Sequence, residues 1–170
     1  MKIAIVYTSQ TGNTKLLADT IKETMLQKKN TECCYFGAPN EQAAAEAKKA
    51  DLVLAGFWTD KENCSDEMSA FLKNLSGKKV FLFGTAGFGG SSHYFELIFS
   101  KVKEHLNTSN ILVGTYMCQG KMPMGVRKIY EKRADQEPEK IAVFLKNFDQ
   151  AMTHPDEADL QKLRQTVMEL

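Results

Sequence analysis

Strand-length blocks of apolar residues recur along the chain and are separated by longer segments of mixed polarity. Five of these blocks are rich in β-branched or aromatic residues and stop at polar or glycine-containing segments, as strands do. They cover Lys2 to Tyr7, Cys33 to Phe36, Asp51 to Phe57, Lys79 to Gly84 and Asn110 to Cys118. The pattern predicts five short strands, most of them buried on both faces.

The segments between the strands carry apolar residues at helical spacing. In the first of them, the apolar residues expected on one side are Leu16, Leu17, Ile21 and Met25. In the last, Pro155 is expected to open a helix because proline fits the first turn. Helices are predicted over Asn13 to Lys29, Glu41 to Lys49, Asp66 to Leu75, Ser92 to Leu106, Glu139 to Met152 and Pro155 to Val167.

Alternation of strands and helices predicts an α/β fold in which a parallel sheet is covered by helices on both faces. Ligands of such sheets lie beyond the carboxyl ends of the strands, where the winding changes direction. Chemistry is therefore expected in the loops after Tyr7, Gly56, Gly84 and Cys118.

The loop after the first strand, residues 8–14, combines hydroxyl and amide side chains with a glycine at the start of a helix. Free N–H groups and the helix dipole make such a loop a neutral cradle for an anion. It lacks the G-K-[ST] ending of a nucleotide-triphosphate loop, so a monophosphate fits better. The alternative is a polar loop in which Thr11 or Asn13 merely caps the helix.

Two further loops add aromatic residues. Trp58, the only tryptophan, follows the third strand, and residues 84–94 after the fourth strand combine several glycines with Phe88, His93 and Tyr94. An exposed tryptophan above a sheet favours a flat ligand, although a lone tryptophan can also pack as core under its own loop. Together the three loops favour a ligand with a phosphate at one end and a flat ring at the other.

Composition narrows the class of protein. The chain has 170 residues, which fits one domain, with 22 basic and 21 acidic residues and a net charge of +1. No basic run marks a nucleic-acid surface, and no apolar stretch approaches the length of a membrane span. The four cysteines show no metal-ligand spacing and are expected to be reduced thiols, so no metal site is predicted and a cytoplasmic protein is expected.

The sequence T-S-Q-T-G-N-T at residues 8–14 resembles the phosphate loop of flavodoxins, T-x-T-G-N-T. The resemblance extends from Lys2 to about Asp149 and implies a doubly wound five-stranded sheet in the order 2-1-3-4-5. It implies that FMN is the cofactor and that its phosphate is held by Thr8, Ser9, Gln10, Thr11, Gly12, Asn13 and Thr14. Residues 1–153 would form the FMN-binding domain and residues 154–170 an extra C-terminal helix packed on it or extending it.

The same resemblance assigns the flavin ring to the other two loops. The segment from Gly56 to Asp60 resembles the flavodoxin loop whose tryptophan stacks on the ring, which implies contacts from Phe57, Trp58, Thr59 and Asp60. The second ring-binding loop would comprise Thr85, Ala86, Gly87, Phe88, Gly89 and Gly90. Its stacking aromatic could be Phe88 or Tyr94.

The expected function is FMN-dependent electron transfer between a reductase and an acceptor protein, by a monomer with no catalytic acid, base or nucleophile of its own. The alternative is an FMN-dependent oxidoreductase acting on a quinone or another small molecule. Two features depart from the resemblance. The chain is near neutral where many flavodoxins are acidic, and residues 119–128 and the last helix lie outside the pattern of short flavodoxins. The segment 119–128 could shape a partner or substrate surface or be an ordinary solvated connection.

Overall fold

The structure, a computed structural model, describes residues 1–89 and 91–170. Gly90, which the sequence assigned to the second ring-binding loop, lies outside them. The strands are β1 (Lys2–Tyr7), β2 (Glu32–Gly37), β3 (Leu52–Trp58), β4 (Lys79–Ala86) and β5 (Ile111–Gln119). The helices are α1 (Asn13–Leu26), α2 (Glu41–Lys49), α3 (Asp66–Asn74), α4 (Ser92–Lys103), α5 (Met124–Arg133), α6 (Pro138–Ala151) and α7 (Glu157–Met168).

The five strands form one parallel sheet in the order β2-β1-β3-β4-β5, which confirms the predicted fold class. Successive residues of each strand point to opposite faces of the sheet. On β1, Ile3 and Ile5 pack in one buried cluster, while Ala4 and Val6 pack in the other. Because both faces are covered, the inner strands are apolar throughout, which is why they stand out in the sequence.

Helices α2, α3 and α4 supply the buried side chains on one face of the sheet, and α1 and α7 supply those on the other. The C-terminal helix packs on this second face, where Leu163 and Val167 are fully buried beside Leu17 and Ile21 of α1. Within residues 1–89 and 91–170, no helix is long and apolar enough to cross a membrane.

Two local predictions were wrong. The final helix begins at Glu157, because Asp156 caps it and exchanges hydrogen bonds with Asp159 in a capping box, so Pro155 precedes the helix. The structure also contains α5, for which the sequence predicted no element. None of its residues is buried, so it lacks the apolar stripe by which the other helices were found.

Candidate cofactor-binding site

Residues 8–14, here called the phosphate loop, connect the end of β1 to the start of α1. The backbone N–H of Thr8 donates to the carbonyl of Gly56 at 3.0 Å, so the loop starts from the end of two neighbouring strands. Gly12 is the N-cap of α1 and has φ of 90°, a left-handed conformation that strains any residue with a side chain. The sharp turn into α1 therefore depends on this glycine.

The phosphate loop presents unpaired hydrogen-bond donors. Within the described residues, no acceptor pairs with the backbone N–H groups of residues 9–14, whereas the next N–H, that of Lys15, donates to Ser9 Oγ at 3.2 Å. Unpaired N–H groups at the amino end of a helix bind anions, because both the donors and the helix dipole favour negative charge. The loop therefore fits a phosphate without a cationic side chain.

Side chains of the loop divide into two groups. Ser9, Gln10 and Thr11 are exposed or half-buried at its rim, whereas Thr14 is fully buried and its hydroxyl bonds that of Thr85 at 3.0 Å. The Asn13 amide donates to Thr11 Oγ1 at 3.0 Å and to the Lys121 carbonyl at 2.9 Å. Thr14 and Asn13 thus fasten the loop to β4 and to the segment after β5.

Trp58 ends β3 and lies between two clefts at the carboxyl edge of the sheet. One cleft, of about 600 Å³, is lined by Tyr7, Trp58 and the phosphate loop. The other, of about 360 Å³, is called the ring cleft here and is lined on one side by Trp58 and Thr59. The side chain of Phe57 points to the opposite face, where it is fully buried and meets Phe99 edge-on at 5.9 Å.

Thr59 carries a buried hydroxyl without a partner. Its backbone N–H donates to the Thr85 carbonyl at 2.9 Å, but within the described residues nothing hydrogen-bonds its Oγ1. A buried unpaired hydroxyl costs about 1–3 kcal/mol, so a native site that keeps one needs an explanation. Because Thr59 lines the ring cleft, a ligand with polar atoms at its edge, such as a flavin, fits this position.

A tight turn at residues 60–63 forms the rim beyond Thr59. Asp60 and Asn63 exchange backbone hydrogen bonds of 2.8 and 2.9 Å, and between them Lys61 and Glu62 have φ of 46° and 62°. Such values are unfavourable for residues with side chains and occur where surrounding contacts enforce them. Here an ion pair between Glu62 and Lys101 of α4 holds the turn in place.

Two buried amides that the sequence analysis missed hold the loop after β4. Gln119 and Asn147 bond each other at 3.0 Å, and both donate to the Gly87 carbonyl, at 2.9 and 3.1 Å. Asn147 also accepts a 3.3 Å hydrogen bond from the Gly89 N–H. We call this arrangement the amide clamp. In the sequence, Gln119 stands out only as a polar residue at the end of an apolar strand, and Asn147 only as a polar residue beside the apolar stripe of α6.

The far wall of the ring cleft is aromatic. Phe88 and Tyr94 meet at 6.4 Å between ring centroids, and Phe144 contacts Phe88 at 5.3 Å and Tyr130 at 5.2 Å. Phe88, Tyr94 and Tyr130 all line the cleft. Burial raises the pKa of Tyr94 and of Tyr130, so both phenols are protonated and uncharged at neutral pH.

Thr85 and Ala86, which the sequence assigned to the second ring-binding loop, belong to β4 itself, which is longer than predicted.

The structure therefore brings most of the expected site residues to one edge. The ring cleft is lined by Gln10, Thr11, Asn13, Trp58, Thr59, Thr85, Ala86, Gly87 and Phe88, and the other cleft by Thr8, Ser9 and Gly12 as well as Gln10 and Trp58. Thr14 and Phe57 have buried side chains, and Asp60 and Gly89 lie beside the ring cleft rather than on its lining. Which of these residues bind a cofactor remains a prediction.

A larger cleft of about 810 Å³ lies at the opposite edge of the sheet. It is lined by residues at the amino ends of the strands, such as Met1, Leu52 and Lys79, and by the C-terminal Leu170. It contains none of the three loops. Since open parallel sheets bind ligands at the carboxyl ends of their strands, size alone does not make it the functional site.

The family model described as a flavodoxin domain matches residues 4–168. Two relatives are flavodoxin-like domain-containing proteins named BilS. The protein of Clostridium symbiosum (strain WAL-14163) is 38% identical over 173 aligned positions, and that of Clostridioides difficile (strain CD3) is 31% identical over 166. Each alignment covers 94% of this chain and 90% of the relative. The chain belongs to the flavodoxin-domain family.

Solved structures agree on the fold. Oxidised flavodoxin 2 from Bacillus cereus aligns with a TM-score of 0.60 at 20% identity, covering 99% of this chain and 96% of that one. A flavodoxin from the domain Archaea aligns with a TM-score of 0.56, also at 20% identity, over 99% of this chain and 95% of that one. Family membership supports a flavin-binding redox role, and the resemblance found in the sequence is confirmed.

Proposed function

We propose that this protein binds FMN without a covalent bond and carries electrons between redox proteins. The observation that supports this most directly is that the phosphate loop and Trp58 together line two neighbouring clefts, one of which is the ring cleft. Unpaired N–H groups suit a phosphate, and an aromatic slot beside them suits a flat ring. FMN has one terminal phosphate and one flat ring system, so it matches both parts.

Each part of the site has a distinct role in this proposal. Residues 9–14 hold the phosphate, Trp58 stacks on the ring, and the Thr59 hydroxyl hydrogen-bonds a polar atom at the ring edge. Bound FMN supplies the redox chemistry, since its ring system accepts and releases electrons. The protein positions the ring, excludes water from it and leaves an edge accessible, so it needs no catalytic acid or nucleophile.

The proposal is tested by adding FMN to the purified protein and measuring absorbance, fluorescence and the dissociation constant. We expect a yellow complex that releases FMN on denaturation. Thr11→Val should weaken FMN binding by about 1.5–3 kcal/mol, the value of a hydrogen bond to a charged group, and leave riboflavin binding nearly unchanged. Riboflavin lacks the phosphate, so equal losses for both ligands would place the phosphate elsewhere, and no FMN binding would refute the proposal.

A second candidate is an FMN-dependent oxidoreductase that acts on a quinone or another small molecule. It is favoured by the aromatic wall, where Tyr94, Tyr130 and Met122 enclose space beside the expected ring position. This candidate predicts that the FMN-loaded protein alone oxidises NADH or NADPH when a quinone is present. An electron carrier needs a separate reductase for the same reaction, so turnover without one distinguishes the two functions.

A further inference from the structure

Helix α5 has two faces with different surroundings. On the inner face, Val126 and Tyr130 are half-buried and line the ring cleft. On the outer face, Met124 and Ile129 are 53% and 57% exposed, although both are apolar. At 3.6 residues per turn they lie about 140° apart around the helix axis, with Lys128 and Lys132 between them, so exposed apolar side chains flank a basic strip beside a functional cleft.

The outer face is also basic. Residues 121–133 contain five basic residues and one acidic residue, a net charge of +4, whereas the whole chain has a net charge of +1. The single acid, Glu131, is paired with Arg127 at 2.8 Å, and Arg127 and Arg133 also pair with Asp149 and Glu137 outside this segment. Lys128 and Lys132 are exposed, and no ion pair involves them within the part of the chain that the structure describes. The outer face thus presents unneutralised cations around its apolar residues.

Contacts to α6 fix the helix in this orientation. Arg127 bonds Asp149 of α6 at 2.5 Å and lies 5.5 Å from the ring centroid of Phe148. The segment before the helix, Lys121 to Pro123, lines the mouth of the ring cleft. Since a helix with its side chains is about 10–12 Å across, a protein seated on the outer face lies within that distance of the cleft.

We propose that Met124, Lys128, Ile129 and Lys132, here called the α5 face, form the docking surface for a redox protein with an acidic patch. The inference rests on the proposed electron-transfer function and adds the location and charge of the partner surface. Opposite charges speed diffusional encounter, and the two apolar side chains provide contact area once the proteins meet. Electron transfer then takes place through the wall of the ring cleft.

Charge reversal with a matched control tests this proposal. The test variant is Lys128→Glu with Lys132→Glu, and the control is Lys48→Glu with Lys73→Glu. Both variants replace two lysines by glutamates, so their total charge changes by the same amount. The control lysines lie near the ends of α2 and α3, are exposed and have no ion pair in the described residues. All three proteins are first loaded with FMN, and their dissociation constants for FMN are compared.

The kinetic probe is a reduced plant-type ferredoxin chosen for its excess of surface carboxylates, whose low potential makes it an electron donor. One electron leaves its iron–sulfur cluster, which is oxidised, and enters the bound flavin, which is reduced. At low salt we expect the test variant to be reduced about tenfold more slowly than wild type, and the control less than about twofold more slowly. The difference should shrink as salt rises.

Reduction by the uncharged 5-deazariboflavin radical should be the same in all three proteins, because it needs no docking. Equal ferredoxin rates for the test variant and wild type, with FMN bound normally, would overturn the docking surface but leave electron transfer standing. Failure of wild type to bind FMN would overturn both proposals.

A second readout is independent of the cofactor. Amide chemical shifts of the FMN-free protein are followed by NMR as oxidised ferredoxin is added, and shifts concentrated in residues 121–133 are expected. Shifts concentrated on α2 and α3 would overturn the proposal. So would concentration-dependent shifts of residues 121–133 without ferredoxin, because these would assign the surface to a second copy of the chain.

Discussion

The phosphate loop and the ring cleft lie side by side but are built in different ways. The loop is one stretch of backbone from Thr8 to Thr14, whose shape depends on a single left-handed glycine. The ring cleft borders Gln10, Thr11 and Asn13 of that loop, but most of it is assembled from the ends of β3 and β4, the start of α4, and the segment from β5 into α5. The amide clamp adds a contact from α6, far along the chain.

This difference determines which properties, ligand binding or folding, a substitution in each region should change. A contiguous loop is specified locally, so variants at its glycine and at the hydroxyls of its rim should affect mainly the part of the ligand that the loop holds. A cleft assembled from distant segments depends on the hydrogen bonds between them, so its variants should affect folding as well as binding. Affinities for FMN and riboflavin separate the two regions, because only FMN has the phosphate.

The largest effect is expected at Trp58, which stands between the two clefts. Trp58→Ala should weaken FMN and riboflavin equally, by about 1–3 kcal/mol, because stacking and burial involve the ring that both share. Trp58→Phe should recover part of the loss. Since Trp58 is the only tryptophan, its fluorescence should also be quenched when either ligand binds. Unchanged emission on binding would contradict the stacking role.

Breaking the amide clamp should affect stability as well as affinity. Asn147→Leu leaves the Gly89 N–H and part of the buried Gln119 amide without partners, at a cost of about 1–3 kcal/mol in the free energy of unfolding. Both ligands should bind more weakly, with an unchanged ratio of FMN to riboflavin affinity. Denaturant titration and ligand binding measure the two effects.

The matched control for the clamp is Asn74→Leu. Asn74 is also helical and bonds a backbone carbonyl, that of Ala70 at 2.9 Å, but it is exposed, so the change should be within about 0.5 kcal/mol. If Asn147→Leu loses stability while riboflavin affinity is retained, the clamp supports the fold and does not shape the cleft.

In the phosphate loop, Gly12→Ala should let the ligand-free loop relax out of its left-handed turn, so FMN binding, which needs that turn, should weaken by about 1–2 kcal/mol, the cost of restoring it. An added Cβ at Gly12 meets nothing within 4 Å, so the effect is one of backbone conformation and not of collision. Riboflavin binding should be nearly unchanged. Gly77→Ala is the control, since Gly77 has φ of 66° and equal space but lies far from the site. It should lower stability and leave FMN affinity intact.

The two regions also differ in how much of them could be predicted from sequence. The sheet and the position of the loop between β1 and α1 were predictable because apolar runs and a short polar motif are local signals. Gln119 and Asn147 were missed because they gain their role from contacts 28 to 60 residues apart in the sequence. Helix α5 was missed because it buries no side chain, and hydrophobic periodicity is the signal by which helices are found.

The smallest effect is expected for Thr59, where a substitution should weaken ligand binding without lowering the stability of the ligand-free protein. Its hydroxyl is buried and unpaired in the described structure, so Thr59→Val, of nearly the same shape, removes an unsatisfied polar group. The free energy of unfolding of the FMN-free protein should rise or stay constant. Affinity for FMN and riboflavin should fall equally, by about 0.5–1.5 kcal/mol, if the hydroxyl bonds the ring.

Thr14→Val is the informative contrast to this variant. The Thr14 hydroxyl is buried too, but it is paired with that of Thr85 at 3.0 Å. Its removal leaves the Thr85 hydroxyl without that partner, so the FMN-free protein should lose stability, by about 1–3 kcal/mol. Thermal unfolding of both variants without ligand compares the two hydroxyls directly. Should Thr59→Val destabilise the FMN-free protein as Thr14→Val does, the Thr59 hydroxyl has a structural role and is not kept unpaired for a ligand.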